Sequence, residues 1–174
     1  MSAHLHLFVW SVALAGVLLP LSSCGRSSTP PTITLQANIQ EQTGLLLSYC
    51  WQSDGGRQSC ADKALHAPAD PIQVMPGEPL RFVVSQGSRP ISWHLEIYRP
   101  AREGETADEE LLDRGGAVPL VHMRDVELLP RPEMSYRPGL GPGMYILILV
   151  GRWAQGNASF IFRVQFEEPF PREE

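Results

Sequence analysis

Few side chains in this sequence combine the type and the spacing that chemistry needs. The nucleophiles and soft ligands are three cysteines, Cys24, Cys50 and Cys60, and five histidines, His4, His6, His66, His94 and His122. Cys50, Cys60 and His66 come nearest to a metal set, yet the cysteines lack the close pairing of zinc motifs and no second histidine follows His66 at ligand spacing. Serine hydrolysis calls for a Gly-x-Ser-x-Gly elbow or a comparable frame, and Gln86-Gly87-Ser88 suits a turn instead. Acidic pairs fall at 103–113 (Glu103, Glu105, Asp108, Glu109, Glu110, Asp113), where hydration leaves them ordinary and EF-hand spacing is missing. His94 lies on the polar face of an alternating run and His122 ends a short one; convergence of the two with a carboxylate is what a hydrolase would require. The expectation is no catalytic residue, no metal and no cofactor. Among the aromatics Trp51, Trp93, Tyr98, Tyr136 and Trp153, Trp153 in a hairpin turn beside Arg152 is the best candidate for a partner contact.

The remaining thiol, Cys24, closes an apolar stretch. From Leu5 to Leu19 the residues are almost all apolar, the length of a secretory leader and short of the roughly 20 residues that span a bilayer. Pro20 and small residues follow, and Leu21-Ser22-Ser23-Cys24 resembles the lipobox of bacterial lipoproteins. That resemblance implies cleavage before Cys24, lipidation of its thiol, and acyl chains such as palmitate holding the domain on the extracytoplasmic face of the cell membrane. Gly25 rather than Asp after the cysteine implies the outer membrane in a two-membrane organism. The leader lacks Lys and Arg before Leu7, a departure from the usual pattern, and a plain secretory signal or a retained helix are the alternatives.

Removal of residues 1–23 from the 174 leaves 151, the size of one domain. The divisions expected are a leader at 1–23, a Ser/Thr/Pro-rich tether at 24–31, a domain at 32–169 and a disordered tail at 170–174. The net charge of −5 falls in the mature part and gives no footprint for nucleic acid. With Cys24 assigned to lipid, Cys50 and Cys60 bracket a polar stretch centred on Gly55-Gly56, which reads as a disulfide closing a turn, with free thiols or a metal site with His66 as alternatives.

The elements that must position these residues have the period of strands. Thr32–Gln36, Leu45–Trp51, Leu80–Val84 and Ile91–Ile97 alternate, with Ser92, His94, Glu96 and Tyr98 forming a face that reads as wet. Residues 100–116 read as a solvated acidic connection with at most two helical turns at 106–113, and 118–121 and 126–129 as separate short strands. Met144–Val150 is a continuous apolar run suited to a strand buried on both faces, and 158–166 alternates behind the turn at 152–157, making a long closing hairpin. The Pro142-Gly-Met-Tyr145 entry into that hairpin resembles the last strands of bacterial immunoglobulin-like sandwiches, where such a tyrosine caps a corner. The fold expected is an all-β, immunoglobulin-like β-sandwich of about seven to nine strands behind a signal-peptide helix.

Together these readings describe an envelope lipoprotein with a non-enzymatic β-sandwich that binds a protein or glycan partner or serves structurally. The alternative is a proteinase inhibitor-like or accessory subunit that presents the 100–116 segment. Replacing Cys24 by Ala is expected to abolish incorporation of labelled fatty acid by cells expressing the protein; a variant that still carries label would remove the lipid anchor from Cys24.

Overall fold

The computed structural model describes residues 29–53, 55–85, 89–113 and 116–168. The leader, Cys24, most of the tether, the 86–88 turn and the tail at 170–174 lie outside these residues. Twelve strands are present among them: β1 (Ile33–Ala37), β2 (Gln40–Thr43), β3 (Leu45–Gln52), β4 (Gln58–Asp62), β5 (Ile72–Val74), β6 (Leu80–Val84), β7 (Ser92–Pro100), β8 (Glu109–Asp113), β9 (Gly116–Leu128), β10 (Glu133–Tyr136), β11 (Gly143–Trp153) and β12 (Gly156–Phe166). The all-β expectation holds, with more strands than the seven to nine expected. The excess arises because short polar segments that carry little hydrophobic signal, such as β2 and β8, are recruited by pairing.

Two sheets form a curled sandwich. A four-stranded sheet in the order β10-β6-β1-β2 faces a larger one in the order β4-β3-β12-β11-β7-β9-β8, with β5 parallel to the end of β12. Between the sheets lies the main core, in which Phe82 of β6 meets Phe162 of β12 edge-on at 5.6 Å. The period-2 rule predicts which residues point there: Trp93, Leu95 and Ile97 of β7, Tyr145, Leu147 and Leu149 of β11, and Phe160, Phe162 and Val164 of β12. The alternate residues do not face water. Ile146, Ile148 and Ile161 join Tyr98, Leu111 and Leu120 in a second apolar cluster inside the curl of the large sheet. Hence the unbroken apolar run of β11, which is buried on both faces as its composition predicts.

The curl is closed by contacts between the far ends of the large sheet. Leu112 of β8 bridges in parallel fashion to His66, and its N–H donates to Leu65 O at 2.8 Å. Arg163, buried in β12, donates to Asp113 Oδ2 at 2.8 Å and to Ala69 O at 3.2 Å. This overturns the reading of 100–116 as a solvated loop with helical turns. Glu109–Asp113 is a strand because Leu111 is fully buried in the second cluster and the backbone finds partners along β9. Residues 118–129 likewise do not form two short strands: Gly116–Leu128 is one strand of 13 residues.

Cys50 and Cys60 are directly opposed in the β3–β4 pair and are joined by a disulfide, as expected. A bridge closing a loop of this length contributes about 2.7 kcal/mol on the chain-entropy account. In β3 the simple alternation fails at Leu47. The β3–β12 register shifts between Ser159 and Phe160, and Leu47 packs in the curl while Leu46, Tyr49 and Trp51 serve the main core. Tyr145 donates its hydroxyl to Gly141 O at 3.1 Å, pinning the turn ahead of β11.

Trp153 is not an exposed contact residue. It is 2% exposed, between Trp51 and Trp93, with ring centroids 5.5 and 4.9 Å away in edge-on geometry. Trp153 is still within β11, opposite Gly156, so the strand's alternation aims it into the core; Arg152 beside it is exposed. Gly151 makes room for this triad: a methyl on its Cα would lie 2.3 Å from both Trp153 and Trp93 ring atoms. Gly151→Ala is therefore expected to destabilise the protein by about 1–3 kcal/mol, in the range of core overpacking. Urea unfolding followed by tryptophan fluorescence checks this, and an unchanged midpoint would contradict the packing of the triad on Gly151.

Candidate functional site

β7 and β9 build the site, and a bulge sets its content. Their register runs His94 opposite Glu127 and Glu96 opposite Asp125, then slips so that Tyr98 faces His122. Without the slip, His122 and Asp125, three residues apart, would point to opposite faces. The inserted residue, Met123, stands exposed, and the histidine is turned onto the face that carries His94, Glu96, Tyr98 and Asp125.

Both histidines then reach one carboxylate oxygen. His122 Nε2 lies 2.8 Å and His94 Nε2 3.3 Å from Asp125 Oδ1, while His94 Nδ1 lies 2.9 Å from Glu127 Oε1. An ionised carboxylate only accepts hydrogen bonds, so His94 satisfies both partners as the doubly protonated imidazolium. Burial opposes that charge, but the hydrogen bond to Glu127 and the fields of Asp125, Glu127 and Glu96 outweigh it and raise the His94 pKa. On its other flank His94 is opposite Val150 of β11, which brings no charge. Asp125 is held below the usual carboxylate value, first by the hydrogen bond from His122 and then, against some burial, by the charges of His122 and His94. Tyr98 donates to Glu96 Oε2 at 3.0 Å; burial and then the negative field of Glu96 push its phenol well up, so it stays protonated.

Glu96 and Tyr98 also belong to the wall of an open cavity of about 490 Å3 at the mouth of the curl. Leu47, Ile148 and Val150 supply apolar lining. Glu109 of β8, with Asp62 and Lys63 at the end of β4, adds charges, and Ser48 and Ser159 add hydroxyls whose oxygens are 2.6 Å apart. Asn157 completes the polar set. Mouths of curled and barrel-like sheets are common ligand sites because strand ends there leave a floor of side chains without a lid.

The face of β7 that the sequence presents as wet is thus half inside the curl: Tyr98 is 8% exposed and Glu96 and His94 are partly covered. Alternation placed His94, Glu96 and Tyr98 on one face correctly, but His122 and Asp125 join them through a bulge that no local pattern announces. His66 sits apart at the seam by Leu112, with Nδ1 3.0 Å from Ala64 O. Among the described residues, no group of three or more His, Cys, Asp or Glu is arranged to hold a metal ion.

No family model matches the chain, and no curated protein matches it. Among solved structures it is similar in part to a lytic polysaccharide monooxygenase (LPMO) from Kitasatospora papulosa, at 8% identity and a TM-score of 0.36, over 57% of this chain and 52% of that one. The catalytic domain of an LPMO from Listeria monocytogenes matches at 11% identity and a TM-score of 0.34, over 57% of this chain and 61% of that one. A chitin-binding domain from Burkholderia pseudomallei matches at 16% identity and a TM-score of 0.34, over 56% of this chain and 57% of that one. The matched region therefore spans little more than half of each of these structures, a likeness of strand arrangement that transfers no residue role. The expectation of a non-enzymatic module, with a proteinase inhibitor-like or accessory subunit as alternative, is nevertheless corrected. Two histidines converge with carboxylates where none was expected to, and the segment meant to enter a protease is partly a paired strand.

The charged cluster has a pH signature. A raised His94 pKa stabilises the fold fully below the ordinary histidine value of 6.5, and that contribution is lost as pH rises through the higher folded value. The lowered Asp125 pKa acts in the opposite sense, its contribution being present above 3.8 and lost as pH falls below it. Thermal unfolding is expected to weaken above pH 6.5 in the native protein and to weaken less in His94→Gln; parallel profiles for the two would refute the imidazolium assignment.

Proposed function

We propose that this protein is a carbohydrate-active module of the bacterial cell envelope, held on the extracytoplasmic face by lipid on Cys24, and that the cavity at the mouth of the curled sheet takes a saccharide unit. The observation that carries this reading is the cavity's mixed lining. Serine hydroxyls, the Asn157 amide, the carboxylates of Glu96, Glu109 and Asp62 and the Lys63 ammonium surround an apolar floor of Ile148, Val150 and Leu47. A sugar ring offers hydroxyls around its rim and C–H groups on its faces, so it needs polar groups that both donate and accept, set around a patch from which water is easily displaced. Flat apolar ligands would leave the carboxylates desolvated without partners.

Glu96 and Tyr98 link the cavity to the His94–Asp125–His122 cluster, so groups able to hold or move a proton stand beside any bound ring. The polysaccharide chemistry and chitin binding named for the partial structural matches agree with a saccharide ligand. The immunoglobulin-like assignment of the sandwich belongs to the same proposal and is supported by the Tyr145 hydroxyl reaching back to Gly141 O, in the manner of a tyrosine corner. A charge of −5 speaks against nucleic acid as a partner.

Calorimetric titration of the detergent-solubilised protein with neutral β-linked oligosaccharides is expected to yield saturable binding, and Val150→Trp, which fills the floor of the cavity, should weaken it by about tenfold or more. Binding that ignores Val150→Trp in a variant with native unfolding behaviour would place the sugar elsewhere, and heat-silent titrations across the series would defeat the reading.

A further inference from the structure

We propose that the cavity selects a saccharide bearing a free amine over the same saccharide with that amine blocked. This rests on the saccharide reading of the cavity and names the chemical class of its ligand.

The charges on the cavity walls do not balance. Three carboxylates, Asp62, Glu96 and Glu109, face the cavity against one ammonium, Lys63, the single lysine of the chain. They stand on three elements, the end of β4, the middle of β7 and the start of β8, which the closure of the curl brings around one space. Several ion pairs lie outside the cavity lining: Arg99 with Glu105, Arg163 with Asp113, Arg81 with Glu133, and His94 with Asp125 and Glu127. Asp62 and Glu109 are exposed, and among the described residues their carboxylates have no side-chain hydrogen bond or ion pair. Glu96 commits Oε2 to the Tyr98 hydroxyl, but its Oε1 is 3.9 Å from His94 Nε2, beyond hydrogen-bond reach. Acceptor oxygens without donors are therefore presented from more than one wall, over an apolar floor and beside serine hydroxyls already engaged with each other.

A neutral sugar can donate to these oxygens only through hydroxyls. An ammonium brings three donors and the charge that matches them, and charge-assisted hydrogen bonds are roughly twice as strong as neutral ones. Lys63 is left to donate to ring or hydroxyl oxygens of the same ligand. The carboxylates behind the wall do not cancel the effect: Asp125 and Glu127 together exceed the single charge of His94.

The comparison that isolates the amine is a glucosamine hexamer against its N-acetylated counterpart, titrated calorimetrically into the detergent-solubilised full chain. The titrations are run at pH 6, below the usual range of an amine. The amine form is expected to bind about tenfold tighter or more, with the gap narrowing as salt screens the charges. Asp62→Asn with Glu109→Gln should close most of the gap while leaving the other acidic residues in place. Equal affinities, tighter binding of the acetylated hexamer, or a gap that survives the double variant, as adherence of a polycation to an acidic surface would, overturns the selection while leaving the saccharide reading intact. Failure of both hexamers to bind removes the saccharide reading as well.

Discussion

Closure of the large sheet on itself is the constraint from which the rest follows. A seven-strand path has two edges, and an unpaired edge exposes backbone donors and acceptors to any passing strand. Here the β8 edge meets the segment after β4 through the Leu112–His66 bridge, and Arg163 reaches across the interior to Asp113. Burying a guanidinium is costly, and Arg163 Nε has no hydrogen-bond partner among the described residues, so this pair is poor as a source of stability in itself. Its consequence is geometric. By holding the last strand over the middle of the sheet it creates a second apolar compartment from Ile146, Ile148 and Ile161, and it leaves a cavity at the mouth where the strand ends diverge.

Two register slips adapt this curled sheet to its contents. One, between β3 and β12, puts Leu47 into the curl and brings Ser48 against Ser159 at the cavity wall. The other, between β7 and β9, turns His122 toward Asp125. Bulges bend strands and re-aim side chains at little cost in pairing, which suits a sheet that has to curl. The same device on the opposite face leaves Arg124 on the core side, where its guanidinium lies over the Tyr136 ring at 5.9 Å and donates to Pro138 O. Thus curvature and the assembly of the polar cluster have a common origin.

The tryptophan triad shows how tightly the closing hairpin is fitted. Trp51, Trp93 and Trp153 come from three strands and pack edge-on around Gly151, an arrangement that favours the aromatic quadrupoles and tolerates no side chain at that glycine. At the hairpin's turn Gly156 takes a φ of +153°, and a Cβ there would fall 1.9 Å from Cys50 O. The disulfided β3–β4 pair therefore lies directly against the tightest part of β12.

The sequence by itself determined the strand class, the doubly buried β11, the closing hairpin and the Cys50–Cys60 pair, because each is written in local periodicity or in the spacing of residues close along the chain. It also placed His94, Glu96 and Tyr98 on one face, since alternation is a property of a single strand. Only the tertiary structure decided that this face lies half inside a curl, that Glu109–Asp113 is a strand and not a helical turn, that Trp153 is buried, and that His122 and Asp125 complete a cluster with His94. Those outcomes depend on closure of a sheet and on one inserted residue in a strand of 13, and both are set by which partner a strand finds rather than by the order of its own residues.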